Sequence, residues 1–352
     1  MSSFTVDIEL TNRCNAKCSF CPRDATPHQG MMSPETFDQA LLRAVEYQRI
    51  AAPVLGEASG SVSLCGLGEP LLNKHAAAFA RQATDAGFQV QLSSNGALLD
   101  ERRSEAMLDA GLKRVYLNVG ERDEAYEAIY QLPFEKTRRN VVRFAEMAEG
   151  LCDVYLVLVD AKGDPAHVQE MKDYWAQFGI QAFVEYELIN RGGALFVDHM
   201  QFETLPELEQ ARGMLAGRGE GAICGAPFAF LFVGYDANYY LCCSDWTKAV
   251  PLGTVFDASF ADVIRAKLER VITREPICKT CNLDPHNQLT EKLRAVADGD
   301  ATMAEADALA ASITTMSDAI RTALEGMAPG STTGLDTRSA PPARKLIPLQ
   351  PS

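Results

Sequence analysis

Six short runs of apolar and β-branched residues punctuate the first half of the chain, at 4–10, 61–65, 89–93, 114–118, 153–160 and 181–188. Each reads as a strand. Between them the apolar spacing becomes helical. The helix predicted at 36–47 follows Ser33, Pro34 and Glu35, where Ser33 caps and Pro34 suits a first turn. Helical runs at 74–86, 104–109, 134–147 and 165–178 stop at or near Gly87, Gly111, Gly150 and Gly179. Six strands with five helical crossovers imply a parallel sheet, and six units are too few for a closed eight-unit barrel. The expected fold is therefore α/β, an open, partial (β/α)6 TIM-like barrel over residues 1–195.

From about residue 196 the pattern changes. A helix is expected at 203–215, then a hairpin whose strands, 228–233 and 238–241, flank a turn at 234–237. These fall in a smaller, cysteine-bearing domain, 196–285. Two helices, 289–297 and 304–325, make a third segment, 286–327. Residues 328–352 are rich in Pro, Ser, Thr and Gly and read as a disordered tail. No repeat of the solenoid kind is visible.

Composition narrows the function. A net charge of −14 without a basic stripe argues against nucleic acid as partner. No apolar run reaches the roughly 20 residues that span a bilayer, and the first residues lack the features of a signal peptide. Ten cysteines in such a chain argue for metal binding in a reducing cytoplasm rather than for disulfides.

Three of them, Cys14, Cys18 and Cys21, sit in ELTNRCNAKCSFCP, residues 9–22, spaced C-x3-C-x2-C just after the first strand. Two readings compete. One is a structural zinc knot, completed by His28 or a distant cysteine. The other is a cubane iron–sulfur cluster with one iron left open for a ligand that is not protein. The loop resembles that of the radical S-adenosylmethionine (SAM) superfamily, which implies that the open iron chelates SAM. Phe20 matches the aromatic position beside the adenine.

Other motifs of that superfamily recur in order. Gly66-Leu67-Gly68-Glu69-Pro70 follows the second strand and resembles the Gly-Gly-Glu-Pro motif that receives the SAM amino group. Leu67 interrupts its glycine pair. Ser94 and Asn95, ending the third strand, resemble the position that contacts the SAM ribose and carboxylate. Asn118, ending the fourth, is similarly placed, and ligands in such sheets bind at the carboxyl ends of strands.

Cys224, Cys242, Cys243, Cys278 and Cys281 form a second set. Four of them, Cys224, Cys242, Cys278 and Cys281, suit either a zinc ribbon or one auxiliary cluster. The run from Asp236 to Trp246, with Ala237 at a family glycine, resembles the twitch/SPASM domain of radical SAM enzymes, which implies an auxiliary [4Fe–4S] cluster. Cys65 and Cys152 read as small packing residues.

Cys243 stands beside an expected ligand with no metal of its own. The resemblance implies two outcomes for a substrate radical. A thiol at Cys243 donates a hydrogen atom and the carbon is epimerised, or the auxiliary cluster takes the electron and an alcohol is dehydrogenated. Candidate polar groups are Glu187, Arg191 and Asp245, with Glu185 beside them. The expected substrate is a small polar natural-product intermediate, an aminoglycoside or nucleoside sugar. Its amino groups suit an acidic chain, and no peptide-recognition segment precedes the first strand. An external electron donor such as flavodoxin or ferredoxin is expected as partner. Peptide modification and a two-cluster electron carrier are the remaining alternatives.

Overall fold

The strand β1 (Thr5–Ile8) buries Val6 and Ile8 completely, while Asp7 points to the other side of the sheet. This alternation sets the architecture: one face of the sheet lies under helices, and the other lines an interior. The computed structural model describes residues 5–26, 28–55, 60–160, 164–187, 189–195 and 221–330. After β1 come α1 (Pro34–Leu55), β2 (Ser61–Leu64), α2 (Ala76–Asp85), β3 (Gln89–Ser94), α3 (Glu101–Asp109) and β4 (Leu112–Asn118). Next are α4 (Asp123–Tyr130), α5 (Phe134–Met147), β5 (Asp153–Asp160), α6 (Pro165–Ala176) and β6 (Phe183–Glu187). Each strand from β1 to β6 pairs in parallel with the next, as the (β/α)6 partial barrel requires.

The elements are more numerous than the periodicity implied, and some, such as α1, are longer while others, such as β1, are shorter. α1 runs to Leu55 and carries Pro53 inside its last turn. The crossover from β4 to β5 holds two helices, because α4 ends at Gln131 in a left-handed conformation, φ 53°. In β4, Val115 and Leu117 are fully buried beneath the helices, whereas Tyr116 and Asn118 are part-exposed on the interior face.

The second region is continuous with the first. α7 (Ala226–Ala229) leads into β7 (Phe230–Val233), which pairs in parallel with β1, Thr5 opposite Phe230 through Ile8 opposite Val233. β8 (Asn238–Tyr240) then turns back antiparallel on β7, so the expected hairpin exists, and β9 (Pro251–Thr254) follows it. The hairpin thus extends the barrel sheet to the order β6-β5-β4-β3-β2-β1-β7-β8-β9 instead of founding a separate one. α8 (Phe260–Thr273), unforeseen in the sequence, begins with a Ser259–Asp262 capping box. α9 (Pro276–Thr280) carries Cys278. α10 (Pro285–Asp298) and α11 (Met303–Met327) pair through a small core that includes Leu289, Leu293, Ala306 and Ile313. The helix expected at 203–215 and the tail beyond 330 lie outside the described residues. No described helix is long and apolar enough to cross a membrane.

Candidate cofactor and active site

The loop bearing Cys14, Cys18 and Cys21 is fastened on several sides. The amides of Lys17 and Ser19 donate to the carbonyls of Tyr130 and Ile129 at the end of α4. Phe20 meets the Tyr130 ring edge-on, centroids 5.5 Å apart. The Arg23 guanidinium donates to the carbonyls of Cys14 and Ala16 at 3.1 and 3.0 Å, which brings a positive charge to the three sulfurs. Burial pushes all three thiols up, Cys18 to about 12. A bound metal reverses that balance, because the thiolate is the ligand.

The other SAM-motif residues gather at the same place. Gly68 is required by close approach: a Cβ there would lie 2.3 Å from the Arg13 carbonyl oxygen. The Glu69 amide donates to that carbonyl at 2.9 Å. Glu69 is also the cap of a short turn, Pro70–Leu72, with Pro70 at its first position. Its buried carboxylate accepts from the Leu71 amide, the Ser94 hydroxyl and the Asn95 amide, and burial raises it to about 6. The Asn95 side-chain amide reaches Asn15 at 2.9 Å and the Cys14 sulfur at 3.8 Å. The Asn118 amide donates to the Ser94 carbonyl at 3.4 Å. The ends of β2, β3 and β4 therefore converge on the cysteine loop.

A buried ion pair ties this centre to the second region. Glu9, fully buried, accepts from the Leu67 amide beside Gly66 with one oxygen and from Lys248 at 2.5 Å with the other. Lys248 lies over the rings of Tyr235 and Tyr240, at 4.4 and 4.8 Å. Gly66 adopts φ 147°, and a Cβ there would overlap the Glu9 side chain at 2.6 Å.

The four cysteines Cys224, Cys242, Cys278 and Cys281 line one cavity. They come from the approach to α7, the end of β8, α9 and the residue after it. The remaining lining is mostly apolar, and Ser244 contributes a hydroxyl. Burial pushes these thiols up, Cys224 to about 12. The amide two residues on donates to the sulfur at Cys14, Cys21, Cys224, Cys242 and Cys281, so both sets share a local turn. Four soft sulfur donors around a mostly apolar space, with amides aimed at them, suit a thiolate-bound iron–sulfur group. Among the described residues no three His, Cys, Asp or Glu side chains converge tightly enough to hold a single metal ion.

Cys243 is not part of that lining. The groups that act on its thiol are Asp7, Arg191, Cys281 and Lys267. Asp7 is buried on the interior face of β1 and hydrogen-bonds the Cys65 thiol; burial raises it to about 7. Lys267 in α8 is buried, donates to the carbonyls of Pro227 and Phe230, and is lowered by burial to about 8. Arg191 follows β6 with φ 52° and stacks on Trp246 at 5.1 Å. Its charge also acts on Cys21 and Tyr186, so it lies between the two cysteine sets.

Two of the candidate polar residues are engaged by local contacts, and a third has no described side chain. The Asp245 carboxylate is consumed by its own loop, accepting from the amides of Ala249 and Val250 at 2.8 Å each. It orders the turn. Glu185 points outward and pairs with Lys172 of α6 at 2.5 Å. Glu187 ends β6, and its side chain lies outside the described residues. Sequence reasoning missed Asp7, Glu9, Lys248, Lys267 and Tyr186. Asp7 left a signal, an acidic residue inside the apolar strand TVDI. Lys248 and Lys267 left none, because their burial is decided by elements far away in the chain.

Comparison with known proteins agrees with this geometry. The radical SAM superfamily model matches residues 8–165, and the SPASM model, an iron–sulfur cluster-binding domain, matches residues 224–282. The chain is 29% identical over 174 residues to a probable GTP 3′,8-cyclase of Halobacterium salinarum, covering 49% of this chain and 46% of that protein. It is 32% identical over 132 residues to an AdoMet-dependent heme synthase of Methanosarcina barkeri, covering 37% and 35%. The chain thus spans less than half the length of these curated relatives. Its fold is shared with Streptococcus suis SuiB bound to precursor peptide SuiA, at TM-score 0.56, 14% identity and coverage of 81% and 71%. It is also shared with anSMEcpe with bound AdoMet, at TM-score 0.56, 14% identity and coverage of 84% and 98%. The two matched domains imply a [4Fe–4S] cluster with SAM and auxiliary iron–sulfur binding as the cofactors.

Proposed function

We propose, for a chain that belongs to the radical SAM superfamily and carries an auxiliary-cluster domain, that it removes a hydrogen atom from a substrate C–H and epimerises that carbon. In this reading Cys14, Cys18 and Cys21 hold the first cluster, and Cys224, Cys242, Cys278 and Cys281 hold one auxiliary [4Fe–4S] cluster. Phe20, Gly66, Gly68, Glu69, Pro70, Ser94, Asn95 and Asn118 form the SAM site. When bound, these groups supply a 5′-deoxyadenosyl radical that abstracts the hydrogen atom.

The chain then has three tasks. The interior face excludes water and orients the substrate. Arg191, between the two cysteine sets, fixes an anionic or hydroxyl-bearing group. Cys243 gives a hydrogen atom to the substrate carbon: its S–H bond breaks as a new C–H bond forms on the opposite face, and the thiyl radical left behind returns to thiol with one electron from the external donor and one proton from solvent. One observation carries this reading. Cys242 and Ser244 line the cysteine cavity and Cys243 between them does not, while Asp7 and Arg191 as well as the neighbouring Cys281 act on its thiol.

The substrate class we favour is a small polar natural-product intermediate, an aminoglycoside or nucleoside sugar. The interior carries an acid at Asp7 and stacked tyrosines, Tyr116 and Tyr155, with centroids 5.6 Å apart. An external flavodoxin or ferredoxin is the proposed electron donor. The division into 1–195, 196–285, 286–327 and a tail is part of the same proposal.

Asp7 favours a second reading, dehydrogenation. A buried carboxyl raised to about 7 suits a base that takes a proton from a hydroxyl-bearing radical. Turnover in deuterated water separates the two. Deuterium at the reacting carbon, lost in Cys243→Ala, supports epimerisation. A carbonyl product formed equally well by that variant rules it out. Reduced protein that neither binds nor cleaves SAM would sink both.

A further inference from the structure

We propose that the Ser244 hydroxyl donates a hydrogen bond to a sulfur of the group held by Cys224, Cys242, Cys278 and Cys281. This rests on the reading of those four cysteines as cluster ligands. Ser244 is 3% exposed, lines their cavity, and its Oγ has no hydrogen-bond partner among the described residues. Its backbone is already used: the amide donates to Cys242 and the carbonyl accepts from the Trp246 amide at 2.9 Å. The carboxylate oxygens of its neighbour Asp245 are bonded to loop amides and not to the Ser244 hydroxyl.

The other polar side chain of the lining is equally occupied. Asp284 pairs with Arg274 at 2.7 Å and caps α10 through the amides of His286 and Asn287. The Ser244 hydroxyl is therefore the unpartnered polar group of an otherwise apolar, sulfur-ringed space. A buried hydroxyl is stable only with a partner, and a sulfur inside the cavity is the acceptor this site offers. A hydrogen bond to cluster sulfur favours the reduced, more negative state, so Ser244 holds the auxiliary potential up. It is a positioning and tuning residue; it touches no substrate.

The test uses the full-length, anaerobically purified chain. Iron and sulfide are counted, and reduction is followed by EPR during a redox titration. The auxiliary signal is the one that added SAM leaves unchanged. S244A and S244V are expected to keep the wild-type iron. At fixed potential their reduced-to-oxidised ratio should fall about tenfold, ~59 mV for one electron, and S244T should restore it. The Thr and Val pair keeps the test sound if S244A does not retain iron, because the two differ chiefly by the hydroxyl. Equal potentials in S244T and S244V would overturn the role of Ser244 alone. Zinc in the cavity, or no SAM-insensitive signal, would overturn the cluster reading and the hydrogen bond with it.

Discussion

The two cysteine sets reach similar chemistry by opposite routes. Cys14, Cys18 and Cys21 lie within one short loop, and the fold needs only to pin that loop: Lys17 and Ser19 on α4, Gly68 and Glu69 against Arg13, Asn95 beside Cys14. Cys224, Cys242, Cys278 and Cys281 are gathered from separate elements, and the cavity exists only because β7 joins β1 and α9 closes over it. What the sets share is the amide two residues on that donates to sulfur, as at Cys14 with Ala16 and Cys281 with Leu283. The difference teaches where each set is vulnerable. The local set depends on its own residues, and the assembled set depends on the packing of the second region onto the first.

Breaking the local set should have the largest effect. Cys14→Ala is expected to lower 5′-deoxyadenosine release at least ~100-fold, since losing even outer partners of a metal ligand costs about 10–100-fold. Chromatography of reduced protein with SAM reads it. Breaking the assembled set should be partial: Cys278→Ala is expected to drop iron from about eight to about four per chain and to retain SAM cleavage. A full loss of SAM cleavage there would mean that the two sets are not separable.

The link between the regions comes next. Glu9→Gln leaves Lys248 buried without its carboxylate, and a loss of ~3–5 kcal/mol is expected in chemical unfolding. Glu9 also holds the Leu67 amide, so the KM for SAM should rise more than kcat falls. The Glu9→Gln/Lys248→Met double variant should be less destabilised than the two single losses combined.

Per pH unit Asp7 gives the smallest effect, and its sign is fixed. Its folded value, about 7, lies above the ordinary 3.8. Between about pH 4 and about pH 7 the unfolded chain has released that proton and the folded chain keeps it. Stability therefore falls as pH rises, by at most ~1.4 kcal/mol per pH unit from this group. Asp7→Asn should flatten that slope in thermal melts across this window. An unchanged slope would remove Asp7 as a buried neutral acid.

Much of this was legible in the sequence, for definable reasons. The triplet and the Gly66–Pro70 motif could be read because their geometry is local. The strands β1 to β6 could be read because β-branched runs alternate with helices stopped by glycine. The four-cysteine set could be read from spacing, which survives without knowledge of the intervening fold. Roles fixed by distant packing were not visible. Asp245 reads as a candidate polar group, and its hydrogen bonds to the amides of Ala249 and Val250 become visible only in the fold. Glu185 reads as a candidate polar group, and its ion pair with Lys172 becomes visible only in the fold. The continuity of β7 with β1 was hidden because nothing in residues 230–233 names its partner.

Iron retention in Cys243→Ala beside Cys242→Ala tests the central claim most directly, because it needs no substrate. The account predicts full iron, an unchanged EPR spectrum and normal SAM cleavage for Cys243→Ala, with the auxiliary iron lost in Cys242→Ala. Loss of the auxiliary iron in Cys243→Ala with its retention in Cys242→Ala would contradict it, making Cys243 a ligand and leaving no thiol to give a hydrogen atom.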